Sequence, residues 1–313
     1  MKKLLVVFDK KNSKDIAIDE DDITLRSFLD FFIRLSKFDV DIYIARDFDC
    51  NVNGNTYLAN FIFDPSKNDF AKYDKTIVPD VIWDRCITNL FPTPNGDIDC
   101  INTFEFKQID SNKYFQYKIL KDKMPYSFVL TDIKSAIKSL ENIKASEVIV
   151  KPINGYGGKG IVKMTKEELV KSEALFEKYG QYLCQEFLDI NLGIEGLVSG
   201  PHDIRLYSTN NKIIRSYIRM PKKGGFLANL SQGGELNEIE IDQVPSNIVE
   251  FALPIINMFY TTFNNPFFSV DIMVSNNKPY VIEINGASVG FPFINSIGRD
   301  HFIEEFSKRI LKI

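Results

Sequence analysis

The sequence predicts an α/β fold, α+β in its second part. Three observations carry this. In the first third, short apolar runs alternate with helix-spaced stripes. In the middle, a strand-like run ends in a lysine and enters a glycine-rich segment. In the last third, paired runs of β-formers flank Asn-Asn turns.

Residues 4–8 form a short apolar run with β-branched content, which predicts a buried strand. Asp21 and Asp22 precede Thr24 and mark a helix start. Leu25, Phe28, Leu29, Phe32 and Ile33 follow at helical spacing and give one apolar stripe. Residues 40–44 and 81–83 predict two further strands, the last running into Asp84 and Arg85. Strand, helix, strand implies a small parallel sheet with crossover helices. Between Cys50 and Asp80 the pattern is weak, and PTPNGD at 92–97 reads as a loop.

A second unit begins near Asn112. Helices are predicted over 113–121 and 131–141, and a strand over 147–150 leads to Lys151. NGYGGKG follows at 154–160. Thr165 and Glu168 make a capping box for a helix that Gly180 can end. Strands are predicted over 182–187, 204–208 and 213–218, the last two joined at Asn210-Asn211. The glycine-rich stretch KKGGFLANLSQGG comes next, then an amphipathic helix over 248–259 containing Pro254. A hairpin over 268–274 and 279–284 turns at Asn276-Asn277, and a helix over 299–311 closes the chain.

The composition narrows the function. With 44% hydrophobic and 26% charged residues, the chain reads as an ordinary globular protein. A net charge of −4 argues against a broad nucleic-acid or membrane-surface role. The N-terminal apolar run is too short for a secretory signal, and no run reaches membrane-spanning length. Cys50, Cys86, Cys100 and Cys184 are scattered, and there are only two histidines. Buried thiols in a reducing cytoplasm fit this better than a zinc site.

Three groups of residues carry chemistry. A lysine at the end of a buried strand is costly unless paired, and Lys151 would be paired if it faced a phosphate. Gly155, Gly157, Gly158 and Gly160 let the backbone wrap a polyanion and aim amides at it. The segment is neither a Walker A loop nor a dinucleotide fingerprint; taken alone, it also fits a plain hairpin. Asp271, Glu283 and Asn285 share one face of the last hairpin and suit Mg²⁺, a hard cation bound through carboxylates and phosphate oxygens. A solvated polar face is the plainer alternative. The apolar neighbours in FFSVDIMV and YVIEIN point instead to burial, and so to a metal or a basic partner. Arg205 and Arg219, on neighbouring strands, suit bidentate contact with phosphate or carboxylate. Lys222 and Lys223 open a loop whose paired glycines permit a moving lid, although surface salt bridges account for the two lysines equally well.

In this order the pieces resemble ATP-grasp ligases, in the branch of bacterial glutathione synthetases and ribosomal-protein glutamate ligases. The resemblance covers nearly the whole chain. Its carriers are VIVKPINGYGGKGI, QEFL, HDIRLY, YIRMP with ANLSQGG, and VDIMV with YVIEIN. DDITLRSFLDFFIRLSKFDVDIYI and PDVIWDR are similar to the N-terminal domain of glutathione synthetases. The resemblance implies an ATP-grasp fold with an N-terminal Rossmann-like pre-ATP-grasp domain over 1–111. The ATP-grasp domain would cover 112–313, divided into a lid-like subdomain (112–188) and a catalytic subdomain (189–313). It further implies that Lys113 (in SNKYF) and Lys151 hold ATP phosphates, with Gly157 and Gly158 in the phosphate loop. Gln185, Glu186, Phe187 and Leu188 would form the adenine hinge. Arg205, Arg219 and Asn229 would be catalytic, with Asp203 and Arg205 where the family carries D-x-R. Asp271, Glu283 and Asn285 would bind Mg²⁺, or Mn²⁺ in its place.

The implied activity is ATP-dependent joining of a carboxylate to an amine through an acyl phosphate, in the manner of glutathione synthetase. The substrates would be small-molecule or peptide carboxylates and amines, with no nucleic acid and no membrane partner. An amino-acid ligase acting on a protein or peptide tail, and an ATP-binding module without ligation, are the alternatives. Gly286-Ala287-Ser288-Val289-Gly290 and the stretch after Arg85 depart from the glutathione synthetase pattern. The substrate side is therefore left open, as is assembly into a homo-oligomer.

Overall fold

The structure, a computed structural model, describes residues 1–9, 16–47, 49–87, 94, 97–177, 180–228, 233–286 and 289–313. Its strands form three sheets.

The first sheet is built on β1 (Lys2–Val7), which pairs in parallel with β2 (Val40–Ala45) and with β6 (Val81–Asp84). β7 (Asp99–Ile101) continues the parallel run beside β6. Helix α1 (Asp22–Ser36) starts where the sequence predicts, with the Asp21 carboxylate accepting from Thr24 N at 2.8 Å. Phe28, Phe31, Phe32 and Leu35 on α1 pack with Trp83, Phe291 and Phe306. Residues 50–80, where the pattern is weak, prove to be a meander: β3 (Asn51–Asn53), β4 (Thr56–Asp64) and β5 (Asp69–Ile77) add antiparallel strands beyond β2. On β4, Tyr57, Ala59, Phe61 and Phe63 are buried at every second position. The exposed Leu58 blurs that alternation, as does Ile62, which packs with Tyr57 and Ala59 past a register shift between Ala59 and Phe61.

Two short helices follow, α2 (Phe104–Asp110) and α3 (Lys113–Ile119), capped by Thr103 and Asn112. The second sheet is antiparallel. It contains β8 (Ser127–Val129), β9 (Glu147–Pro152), β10 (Val162–Thr165) and β11 (Tyr182–Glu186), in the order β10-β9-β11-β8. Helix α4 (Ile133–Leu140) is capped by Asp132. The predicted Thr165–Glu168 capping box starts α5 (Lys166–Lys171). The helix does not run on to Gly180. Ser172, at φ −87° and ψ 69°, breaks it, and only the short α6 (Glu173–Phe176) follows.

The third sheet carries β12 (Asp203–Thr209), β13 (Lys212–Met220), β14 (Glu235–Ile239), β15 (Phe268–Ser275) and β16 (Lys278–Asn285), in the order β14-β13-β12-β15-β16. Both predicted Asn-Asn turns are present, with φ of 52° and 57° at Asn210-Asn211 and 49° and 60° at Asn276-Asn277. Such left-handed pairs make hairpin turns whose twist matches the strands. One face of this sheet buries Ile204, Leu206, Ile218, Val270, Ile272 and Ile284 against helix α7 (Ser246–Thr262), which runs through Pro254. Helix α8 (Arg299–Leu311) spans the predicted residues and packs Phe302 and Phe306 into the α1 core.

All four cysteines are buried and unpaired. Among the described residues no helix is long and apolar enough to cross a membrane. Just after β16, a Cβ on Gly286 would lie 2.3 Å from Phe106 Cε1, so α2 approaches the chain too closely for any side chain there. Gly286→Ala should therefore destabilise the protein by about 1–3 kcal/mol through overpacking. A chemical-denaturation midpoint equal to that of the wild type would contradict that close approach.

Candidate active site

The face of the third sheet away from α7 is polar. Side chains alternate along a strand, so Asp203 and Arg205 on β12 point opposite to Ile204 and Leu206. The register sets Asp203 opposite Arg219 and Arg205 opposite Asp271, with Asp271 opposite Glu283. This face and the second sheet line one cleft.

On the second-sheet side, Lys151 is only 3% exposed and lies 3.0 Å from Gln185 Oε1; Gln185 Nε2 in turn donates to Ser127 Oγ. Burial pulls the Lys151 ammonium down to about 8, against the opposing effect of Glu283 and helped by Lys113. Gly157 and Gly158 line the cleft in left-handed backbone, with φ of 67° and 73°. Gln185, Glu186, Phe187 and Leu188 form one wall, and Ile149, Ile161, Met273 and Ile282 add apolar surface. The Glu186 carboxylate accepts from the amides of Lys144 and Ala145.

On the third-sheet side, Lys113 Nζ donates to Gly155 O at 2.6 Å and lies 3.0 Å from Glu283 Oε1. Asp271, 2% exposed, accepts Nε and Nη2 of Arg205, both at 2.7 Å, and Arg219 Nη2 at 2.6 Å. Arg219 also grips Asp203 with two 2.7 Å bonds. Asn285 Nδ2 donates to Asp271 Oδ2 at 3.2 Å. Burial would raise the Asp271 carboxyl, but the two guanidiniums hold it below the usual range. Asp203 is pushed up to about 6 by burial, with Arg219 opposing and Asp271 adding.

The cleft thus gathers the predicted Lys113, Lys151, Gly157, Gly158, Gln185, Glu186, Phe187, Leu188, Arg219, Asp271 and Glu283 in its lining. Arg205 and Asn285 reach it through Asp271. Asn229 lies outside the described residues, as do parts of the two departures from the glutathione synthetase pattern. Lys222 and Lys223 are exposed, while Phe226, Leu227 and Ala228 of the same loop line the cleft. Sequence reasoning did not single out this apolar wall, nor Tyr156. Of the two partners expected for Asp271, a metal or a base, the structure holds the base.

Among the described residues no three His, Cys, Asp or Glu side chains gather as a metal cage. Asp271, Glu283 and Asn285 still fit Mg²⁺, which is usually held by one or two carboxylates together with substrate phosphates. Lys113 lies 3.0 Å from Glu283 Oε1, and Lys151 is near enough to both to feel their charges.

Known proteins resemble this chain in sequence and in fold. The family model of the RimK-like ATP-grasp domain matches residues 111–304. The tetrahydromethanopterin:alpha-L-glutamate ligase of Methanocaldococcus jannaschii is 27% identical over 166 residues, 51% of this chain and 52% of the relative. A probable alpha-L-glutamate ligase of Legionella pneumophila is 25% identical, over 46% of this chain and 44% of its own length. The chain spans about half the length of the curated relatives it matches. The VanG D-Ala:D-Ser ligase of Enterococcus faecalis has a similar fold, with a TM-score of 0.65 at 15% identity, covering 99% of this chain and 98% of that one.

The lowered Lys151 pKa gives a signed pH dependence. A bound polyphosphate favours the ammonium form. Below about pH 8 the ammonium is already present; above it, binding must bring a proton with it. ATP affinity should be flat below pH 8 and weaken above it, by up to about tenfold per pH unit. Titration calorimetry across this range checks the slope, and a flat profile through pH 9.5 would contradict it. Folding has the opposite sign: the buried ammonium costs stability below about 8, and that cost fades as pH rises toward 10.5.

Proposed function

Because the chain belongs to the RimK-like ATP-grasp family, we propose that it is an ATP-dependent carboxylate–amine ligase. One observation carries the reading: two lysines, a glycine segment and paired carboxylates from separate elements line one cleft. Adenine would lie between the apolar side chains and the hinge residues 185–188. Lys113, Lys151 and the amides of Gly157 and Gly158 would hold the phosphates. Asp271, Glu283 and Asn285 would hold Mg²⁺, which when bound neutralises polyphosphate charge. Arg219, released from Asp271 as ligands arrive, would turn to the transferred phosphoryl group, while Arg205 stays on Asp271.

The chemistry follows from charge. A carboxylate is a poor electrophile because attack on it would expel oxide. Transfer of the γ-phosphoryl group breaks its bond to ADP and forms one to a carboxylate oxygen, giving an acyl phosphate. An amine then attacks the acyl carbon and phosphate leaves. Residues 222–234 would close over the cleft and exclude water, which would otherwise hydrolyse the intermediate.

For the amine, glutamate is favoured over the glycine of a glutathione-type reaction. The names of the curated relatives, which are glutamate ligases, support this choice. The acceptor would be a small molecule or peptide carboxylate. The test is phosphate release over pairs of carboxylates and amino acids. Glu283→Gln should cut turnover on the order of a hundredfold or more while leaving the fold intact. Asp271→Asn should cut it as far and also lower stability, because it leaves buried Arg205 without its carboxylate. Near-normal turnover of both variants at saturating Mg²⁺ would sink the metal assignment. A wild type that releases no phosphate with any pair would leave an ATP-binding module.

A further inference from the structure

β16 is the edge strand of the third sheet, and it carries Glu283 and Asn285. In an antiparallel strand, backbone groups of successive residues point to opposite edges. Here the backbone N and O of Ile284 and Gly286 meet side chains outside the sheet, so they point away from β15, which leaves Glu283 and Asn285 as the residues whose backbone faces it. A buried backbone amide or carbonyl without a partner costs about 1–3 kcal/mol.

Side chains take the place of the missing strand. Gln116, fully buried, accepts from Ile284 N through Oε1 at 2.8 Å and donates to Ile284 O through Nε2 at 2.9 Å. Asp110 Oδ1 accepts from Gly286 N at 2.7 Å, and Asn102 Nδ2 donates to Gly286 O at 3.3 Å. Gln116 Nε2 also donates to Asp110 O at 2.9 Å, which ties the end of α2 to α3. Three residues before Gln116, nearly one helical turn, Lys113 meets Glu283. α3 therefore grips β16 twice, by a charge on Glu283 and by an amide on the backbone of the next residue.

We propose that Gln116 is a positioning residue that fixes Glu283 and Asn285 at the metal site and sets their distance from Lys113. This rests on the ligase reading above. It adds that the backbone between the two β16 donors is held by an amide from a different element. Without that amide, Ile284 N and O would have to find water or shift, and the strand would slide relative to α3. Polyphosphate binding through the second sheet, by Lys151 and the glycine segment, would be nearly untouched.

The test uses Gln116→Met, which keeps the length of the side chain and removes both bonds. Gln116→Glu serves as the second variant: it keeps an acceptor for Ile284 N and loses the donor to Ile284 O. The readout is Mn²⁺ binding in the presence of ADP, followed by electron paramagnetic resonance, with ADP affinity measured separately without metal. For Gln116→Met, Mn²⁺ affinity should fall about tenfold while metal-free ADP affinity stays within about twofold. Gln116→Glu should fall between Gln116→Met and the wild type. In turnover, Gln116→Met should need about tenfold more Mg²⁺ for half-maximal rate and recover part of its kcat at high Mg²⁺.

Unchanged Mn²⁺ affinity in both folded variants would overturn the proposal while leaving the ligase reading in place. Equal losses of Mn²⁺ and metal-free ADP affinity would also overturn it, since the effect would then be general unfolding of the cleft. If Gln116→Met does not fold, Gln116→Glu decides alone: weaker Mn²⁺ binding with intact ADP binding supports the proposal, and wild-type Mn²⁺ binding overturns it. A wild type that binds no Mn²⁺ with ADP would overturn the ligase reading, and this proposal with it.

Discussion

Asp271 lies almost out of solvent with its carboxylate between the guanidiniums of Arg205 and Arg219. A carboxylate in that place without partners would cost several kcal/mol, and so would either arginine alone. The three side chains come from three adjacent strands, so they meet only in one register. A slip of β13 by one residue would send Arg219 to the face packed on α7 and bring an isoleucine into the cleft. The apolar pattern of Ile204, Leu206, Ile218 and Val270 demands the same register from the other side of the sheet. Packing and charge thus specify one alignment, and the cleft inherits its geometry from that agreement.

The same cluster explains how the cleft can hold so much charge. Each buried cation has an internal partner: Lys113 has Glu283, Arg205 has Asp271, Arg219 has Asp203 and Asp271, and Lys151 has the neutral Gln185. Lys151 is the least compensated of these, and its lowered pKa records that. The two aspartates divide unequally because Asp271 faces two guanidiniums and Asp203 shares one of them next to a like charge. An arriving polyanion would relieve the strain at Lys151 first. Release of Arg219 would then free an oxygen of Asp271, the exchange a metal-and-phosphate site needs.

Features that depend on neighbours in sequence were legible. Asp21 before Thr24, Thr165 with Glu168, and the two Asn-Asn pairs each specify local backbone by a short-range hydrogen bond or a left-handed φ, and each forms as predicted. The meander over residues 51–77 was not legible. β5 exposes most of its side chains and β4 has apolar residues on both faces, so neither shows a clean period of two. α2 was hidden for a related reason: its seven residues open with Phe104 and Phe106, which alternate as in a strand. At the site, residue types and strand faces could be read from spacing, and so could the need of Asp271 for a partner. Which partner it takes could not, because Arg205 lies 66 residues away and only the sheet brings the two together.

The two sheets that form the cleft meet through a short piece of helix. Lys113 N donates to Ile153 O at 3.0 Å, and its Nζ to Gly155 O, which binds the start of α3 to the end of β9 and the glycine segment. The same lysine and Gln116 bind α3 to β16. A helix of seven residues is about 10 Å long and does not bend appreciably over that length. The separation between the glycine segment and the carboxylates of β15 and β16 is therefore set by α3, within the play of a few hydrogen bonds. This also explains why α2 and α3 can be so short. They bury Phe106 and Tyr117 in the core beside the third sheet, and they also close the edge of that sheet at Ile284 and Gly286. The sheet in turn gains a capped edge at the strand end where two of its candidate ligands sit.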